Sequence, residues 1–233
     1  MELNKYIEHT NLNESATHKE IETLCEEARK YHFETVCVHP FYVAFAKELL
    51  HDSNVGITTV IGFPFGMNTV ETKEYEAIDA IHNGADEIDM VMNMGCVKNG
   101  DYDLIKREIE TIRDAIDGHS LKVNIEVCDL EEDQIRRLIE ICNETFIHFI
   151  QIKVLGDCDR ILDRIELIKR YKSDVLEIKV SGDIQTEEDV IKIIEAGVVR
   201  IGTSYGANIV SNKEHSNCSK DCEHEHCHCE DIK

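Results

Sequence analysis

The chain has 233 residues, of which 42% are hydrophobic, so it is long enough to bury the core of one large domain. Its 25 basic and 47 acidic residues give a formal net charge of −22, which argues against nucleic acid or an anionic membrane surface as a partner. The sequence has no basic segment followed by an apolar one at its start, and no apolar run approaches the length of a membrane span. We therefore expect a cytoplasmic protein that does not bind membranes.

Short segments rich in Val, Ile or Thr alternate with amphipathic segments along the chain. The predicted strands are residues 6–10, 35–39, 57–63, 87–93, 122–127, 148–154, 176–181 and 199–204. The predicted helices, which place apolar residues at helical spacing, lie within residues 17–31, 69–84, 102–116, 132–144, 158–172 and 186–197. This alternation predicts parallel strands joined by right-handed helical crossovers.

For a chain of this length, the leading architecture is a single-domain (β/α)8 TIM barrel, and an open doubly wound sheet is the second. The chain contains neither a G-x-G-x-x-G nor a G-x-x-x-x-G-K motif, which disfavours the nucleotide-binding forms of the open sheet. We assign residues 1–212 to the barrel domain and residues 213–233 to a short disordered C-terminal tail.

The tail is rich in possible metal ligands. It lacks apolar periodicity and contains four cysteines and four histidines, side chains that suit Zn²⁺ or Cu(I). Because one polar segment offers many alternative ligands, we expect opportunistic metal binding by the tail rather than a defined metal site. The other six cysteines are scattered through the barrel domain, where reduced, buried thiols are expected.

Two of the predicted strands end in a lysine followed closely by a glycine turn. Lys153 and Lys179 are each flanked by two apolar residues, and so is Asp89 in the fourth strand. Because side chains alternate along a strand, apolar neighbours that pack against the helices would point all three charged side chains into the barrel. The alternative is structural: both lysines reach from the strand ends to water, and Asp89 pairs with one of them.

Two lysines and a carboxylate in one cavity suit an enzyme that forms an imine, or Schiff base, with a carbonyl substrate. An amine is a nucleophile only when it is neutral, and burial and a neighbouring ammonium both favour the neutral form. One lysine would attack the carbonyl, the other would keep it neutral, and Asp89 would move protons directly or through water. This chemistry needs no metal and no organic cofactor.

Five segments, residues 60–77, 84–95, 122–128, 178–184 and 195–206, resemble the motifs of the deoxyribose-phosphate aldolases in the same order. These are class I aldolases with a (β/α)8 fold. The resemblance implies that an enzyme lysine forms an imine with acetaldehyde, and that the resulting enamine adds to glyceraldehyde 3-phosphate. The implied partners are therefore small aldehydes and a sugar phosphate, and a homodimer is one open possibility.

The same resemblance implies roles for individual residues. By position, Lys153 matches the Schiff-base lysine, Lys179 the second lysine that tunes it, and Asp89 the proton-relay aspartate. The implied substrate-binding residues are a pocket cysteine and parts of the substrate and phosphate loops: Cys37, Gly156, Gly182, Gly202 and Ser204.

Several positions depart from the family pattern. The Schiff-base lysine normally precedes a Thr-Ser-Thr-Gly run, whereas residues 154–157 read Val-Leu-Gly-Asp. Asp183 replaces a glycine where the phosphate is expected, and Glu8 stands where aspartate is usual. Gln151 and Glu177 face the interior by parity, and Glu177 could hold a lysine in its protonated form.

These departures leave three hypotheses open. The first is an active deoxyribose-phosphate aldolase with a variant phosphate loop. The second is a Schiff-base aldolase of the same fold with a different or unphosphorylated acceptor. The third is a catalytically inactive relative that acts as a binding or regulatory protein.

Overall fold

The computed structural model describes residues 1–154 and 158–211. Eight parallel strands close into a barrel in sequence order, as predicted. They are β1 (Ile7–Asn11), β2 (Thr35–Val38), β3 (Gly56–Ile61), β4 (Glu87–Val91), β5 (Ser120–Ile125), β6 (Phe149–Val154), β7 (Glu177–Gly182) and β8 (Arg200–Thr203). Hydrogen bonds between β1 and β8 close the ring, so the (β/α)8 TIM barrel is confirmed and the open sheet is excluded.

The described residues form eight α-helices. They are α1 (His18–Tyr31), α2 (Val43–Leu50), α3 (Val70–His82), α4 (Met94–Asn99), α5 (Tyr102–Ala115), α6 (Glu132–Glu144), α7 (Cys158–Tyr171) and α8 (Glu187–Glu195). Six of them coincide with predicted segments. Helices α2 and α4 were not predicted, because helices of 8 and 6 residues are too short to repeat a helical period clearly.

Polar residues at the element ends explain several boundaries. The Thr17 side chain caps α1 in a capping box with Glu20, and Thr186 caps α8 by accepting a hydrogen bond from the Asp189 backbone. Strand β3 ends two residues earlier than predicted, because Gly62 adopts a φ of +62° that is incompatible with an extended strand.

The apolar core lies between the strands and the surrounding helices. Ile152, Ile178 and Val180 are fully buried there, which fixes the alternation of β6 and β7. The middle of the barrel is polar instead, with buried glutamate, threonine, lysine and arginine side chains. Most TIM barrels fill this space with branched apolar residues, so the charged interior marks the region beneath the cavity.

None of the helices in the described ranges combines the length and apolar character needed to cross a bilayer. The predicted tail, residues 213–233, and Gly156 lie outside the described residues. The domain boundary at residue 212 therefore stays a prediction.

Candidate active site

A cavity of about 790 Å³ opens at the carboxyl ends of the strands. This is the end of a TIM barrel at which active sites are built. Its lining includes seven of the eight predicted site residues: Cys37, Asp89, Lys153, Lys179, Gly182, Gly202 and Ser204. The barrel therefore brings together residues that are far apart in the sequence.

Lys153 projects into the cavity from the carboxyl end of β6, where it is the next-to-last residue of the strand. Its position in the barrel is fixed by pairing with Ser181 of β7. The side chain is exposed, and no carboxylate of a described residue forms an ion pair with its Nζ. The amine is thus accessible to a carbonyl compound that enters the cavity.

Lys179 lies deeper and is 1% exposed. Its Nζ donates hydrogen bonds to Oδ2 of Asp89, at 2.5 Å, and to the Glu8 carboxylate. Part of the structural alternative is therefore correct, since Asp89 pairs with a lysine, but Lys179 does not reach water. The suggestion that Glu177 holds a lysine is not supported, because both carboxylates bound to Lys179 come from other strands.

Lys122 of β5 is a third interior lysine, which was not predicted. It is fully buried, and its Nζ lies 2.9 Å from Oε2 of Glu8, 2.7 Å from Oε2 of Glu87 and 3.0 Å from Oδ1 of Asp89. The contact with Asp89 is an ion pair without hydrogen-bond alignment. The signal that identified the other two lysines was present here as well, since Lys122 stands between two apolar residues, Leu121 and Val123.

The buried charges balance. Three carboxylates, Glu8, Glu87 and Asp89, face three cations, Lys122, Lys179 and Arg200. Arg200 Nη1 lies 3.1 Å from Glu87 Oε2, at the bottom of this network. Because each charge is paired with an opposite one, these groups can remain ionised away from water.

Glu8 is the centre of the network. Burial by itself would raise the pKa of Glu8, but the positive charges of Lys122, Lys179 and Arg200 outweigh it and hold the pKa well below the ordinary value of 4.5. Burial would likewise lower the pKa of Lys122, but Asp89, Glu8 and Glu87 raise it above the ordinary 10.5. Both groups are therefore charged at neutral pH.

The lowered pKa of Glu8 predicts acid sensitivity. A carboxylate with a depressed folded-state pKa contributes stability above its ordinary pKa of 4.5, and this contribution is lost as the pH falls. We expect the difference in unfolding free energy between the wild type and Glu8→Gln to shrink by about 1.4 kcal/mol per pH unit below that value. Urea unfolding at a series of pH values measures this difference in unfolding free energy, and Glu14→Gln, at an exposed position, is the control. A difference that is independent of pH would refute this role of Glu8.

Cys37 of β2 forms part of the cavity wall close to Glu8 and Asp89. Burial, with a further contribution from these two carboxylates, raises the pKa of the Cys37 thiol well above its usual 9.0. The three side chains could place ligand atoms within 4.8 Å of one another. They do not suit a metal, because the thiol is protonated and lysines already occupy both carboxylates.

The predicted phosphate loops lie at the ends of β7 and β8. Gly182 has a φ of +147°, a conformation that favours glycine. A Cβ at Gly202 would stand 3.3 Å from Cε of Lys179, so this glycine leaves room for the lysine stem. Asp183 is exposed at the cavity, and its Oδ1 accepts a hydrogen bond from Gln185.

Comparison with known proteins gives a consistent answer. A model described as DeoC/LacD family aldolase matches residues 3–151. A protein of Staphylococcus carnosus named deoxyribose-phosphate aldolase is 40% identical over 215 residues, which cover 92% of this chain and 98% of that protein. A Caldanaerobacter subterraneus protein of the same name is 40% identical over 214 residues, with coverage of 90% and 93%.

Solved structures agree with these sequence matches. A candidate deoxyribose-phosphate aldolase from Coccidioides immitis superimposes with a TM-score of 0.86 at 33% identity, covering 91% of this chain and 86% of that one. A protein described as QR15, an aldolase, gives a TM-score of 0.85 at 31% identity, with coverage of 93% and 98%. The barrel, its lysine-lined cavity and these matches show that the chain belongs to the deoxyribose-phosphate aldolase branch of the DeoC/LacD aldolase family.

Proposed function

We propose that this aldolase reversibly cleaves 2-deoxy-D-ribose 5-phosphate to acetaldehyde and D-glyceraldehyde 3-phosphate through an imine on Lys153. The observation that carries the proposal is the contrast between the lysines that line the cavity. Lys153 is exposed and outside any ion pair with a described residue, whereas Lys179 is buried and held by two carboxylates. Of these two lysines, Lys153 is the one placed to attack a substrate carbonyl.

The proposed steps conserve atoms and electrons. The neutral Lys153 amine adds to C1 of the open-chain sugar, and loss of water gives the protonated imine. A base removes the proton of the C3 hydroxyl, the C2–C3 bond breaks, and its electron pair forms an enamine as the three-carbon aldehyde leaves. Protonation of the enamine at C2, followed by hydrolysis of the imine, releases acetaldehyde and restores the amine.

Asp89 and Lys179 are the proposed proton carriers. Their 2.5 Å contact joins an acid and a base at the floor of the cavity, which both residues line. Because Glu8 and Asp89 compensate the Lys179 charge, repulsion from Lys179 acts on Lys153 less strongly than a bare ammonium would. The proposal therefore gives Lys179 mainly a role in proton transfer.

Two assays on the unmodified chain test the proposal. Borohydride reduction in the presence of acetaldehyde should attach an ethyl group to a lysine, and cleavage of deoxyribose 5-phosphate should release acetaldehyde. Absence of both results would favour the hypothesis of a catalytically inactive relative. Trapping without cleavage of this sugar would favour a different acceptor.

An unphosphorylated acceptor is the second candidate, and the charge at the cavity mouth favours it. Asp183 and Glu126 both line the cavity, and Lys153 and Lys179 are its only cations among the described residues. A dianionic phosphate near Asp183 would be repelled at close range. Turnover of deoxyribose compared with its 5-phosphate separates the two candidates.

Replacing Asp183 should reveal where the phosphate binds. If the phosphate lies at the Gly182 turn, we expect Asp183→Gly to lower KM for deoxyribose 5-phosphate several-fold and to leave deoxyribose unaffected, because only the phosphorylated substrate is repelled. Steady-state kinetics on both sugars measure this effect, with Asp174→Gly as a control on another loop. Equal changes for both substrates would show that Asp183 does not face the phosphate.

We also propose a cytoplasmic location, which the free thiols of Cys25, Cys37, Cys96, Cys128 and Cys142 support. The homodimer stays a prediction that sedimentation equilibrium can test.

A further inference from the structure

We propose that Lys73 and Glu76 of α3 are positioning residues that fix one wall of the cavity, against which the acceptor half of the substrate rests. The wall segment is residues 62–68, between β3 and α3. Its residues Phe63, Pro64, Phe65 and Met67 line the cavity. This inference rests on the proposed aldolase function and adds residues that do not themselves touch the reacting atoms.

Glu76 holds both ends of the wall segment with one carboxylate. Its Oε2 accepts a hydrogen bond from the Gly62 backbone N–H at 2.7 Å, and its Oε1 accepts one from Asn68 Nδ2 at 3.3 Å. A charged acceptor strengthens such bonds. The side chain thus fixes the entry and the exit of the segment to one turn of α3.

Lys73 joins the same segment to the strand that carries Asp89. The side chain is fully buried, and a Cβ added at Gly62 would meet its Cε at 2.6 Å, so the lysine stem packs directly against this glycine. Its Nζ donates a hydrogen bond to the Val91 carbonyl at 2.9 Å and pairs with Glu108 at 2.8 Å. Val91 is the last residue of β4, two positions after Asp89.

A third attachment lies in the middle of the segment. Gly66 has a φ of +69° and lies so close to the residue that follows β4 that an added Cβ would be 2.2 Å from the Met92 carbonyl oxygen. Its N–H also donates to the Gly62 carbonyl at 2.7 Å. The backbone of the wall is therefore fixed, while Phe65 and Met67 stay 77% and 67% exposed.

The wall lies three strands around the barrel from Lys153, since it follows β3 and the lysine belongs to β6. It is therefore placed to contact the part of a substrate that is remote from the imine carbon. A two-carbon aldehyde bound to Lys153 does not need the wall, whereas a five-carbon sugar does. This difference gives the proposal a measurable consequence.

The test compares two reactions of the full chain. Cleavage of deoxyribose 5-phosphate requires the acceptor wall, while exchange of the acetaldehyde methyl protons in D₂O requires only imine and enamine formation. We expect Glu76→Ala to raise KM for the sugar about tenfold, corresponding to a modest loss of contact energy, and to change the exchange rate less than twofold. Glu76→Gln keeps the length and one acceptor oxygen, which can still accept the shorter bond from the Gly62 N–H, so this variant should recover part of the loss.

Matched variants complete the design. Glu71→Ala, at an exposed position on the same helix, should behave as the wild type. Lys73→Met combined with Glu108→Leu, which leaves no orphaned charge, should reproduce the rise in KM. Amide hydrogen exchange of residues 62–68 should increase in Glu76→Ala.

Two outcomes would overturn the proposal: equal losses in cleavage and exchange, or a Glu76→Ala variant indistinguishable from Glu71→Ala. If the wild type itself shows no proton exchange, the imine chemistry fails. The positioning role is then decided by the amide exchange of residues 62–68, where protection unchanged by Glu76→Ala refutes it.

Discussion

Replacing Lys153 by alanine should abolish aldol cleavage. We expect kcat to fall on the order of 10⁴-fold or more, the size of loss typical when the nucleophile of covalent catalysis is removed. No other lysine that lines the cavity among the described residues is free of an ion pair, so none can replace it. A coupled assay for glyceraldehyde 3-phosphate measures the loss.

Trapping identifies the amine directly. Acetaldehyde with borohydride should modify the wild-type peptide that contains Lys153, and Lys153→Ala should give no adduct. Lys19→Ala, at an exposed position on α1, is the matched control and should be trapped normally. Because Lys153 is exposed, its removal should change the unfolding free energy by less than about 0.5 kcal/mol. An adduct on Lys179 would contradict the assignment.

Replacing Asp89 by asparagine should separate catalysis from stability. Asp89 and Glu87 lie on the same strand and both pair with Lys122, but only Asp89 lines the cavity. We expect Asp89→Asn to lower kcat by about 10²- to 10⁴-fold, the usual contribution of general acid–base catalysis. Glu87→Gln should stay within a few-fold of the wild type.

Both variants should lose stability, because each leaves a buried cation with one carboxylate fewer, at a cost of up to about 5 kcal/mol. Thermal unfolding measures this loss, and kcat must be compared at a temperature at which both variants are folded. If Glu87→Gln loses as much activity as Asp89→Asn, the charge network as a whole, and not proton transfer by Asp89, limits the reaction.

The structure also changes how Lys179 can be tested. Removing its ammonium by Lys179→Leu would orphan the buried Glu8 and Asp89 carboxylates. Loss of activity in that variant would combine a missing proton carrier with a damaged fold. Asp89→Asn is the sharper experiment, because the amide keeps the shape of the carboxylate.

The sequence by itself determined where the strands lie, six of the helices and the direction of the main charged side chains. Local periodicity suffices for this, because a strand alternates every two residues and an amphipathic helix repeats about every 3.6. Apolar residues on both sides of Lys153, Lys179 and Asp89 indicate that one face of each strand packs against the helices and that the charged residue lies on the other face. This inference needs only the neighbouring residues.

Only the tertiary structure decided which charges meet. Glu8 contacts Lys122 across 114 positions of sequence and Lys179 across 171. No local pattern encodes these distances, which is why Glu177 was offered as a lysine partner, and why the inward direction of Lys122, which its apolar neighbours do indicate, could not show which carboxylates it meets. Closure of β1 against β8 brings Glu8 into the ring, and register then places its carboxylate between two lysines. In the resulting network the charges balance, Lys179 is paired, and Lys153 stays exposed in the cavity. The sequence could not show this balance, because the paired residues come from strands all around the barrel.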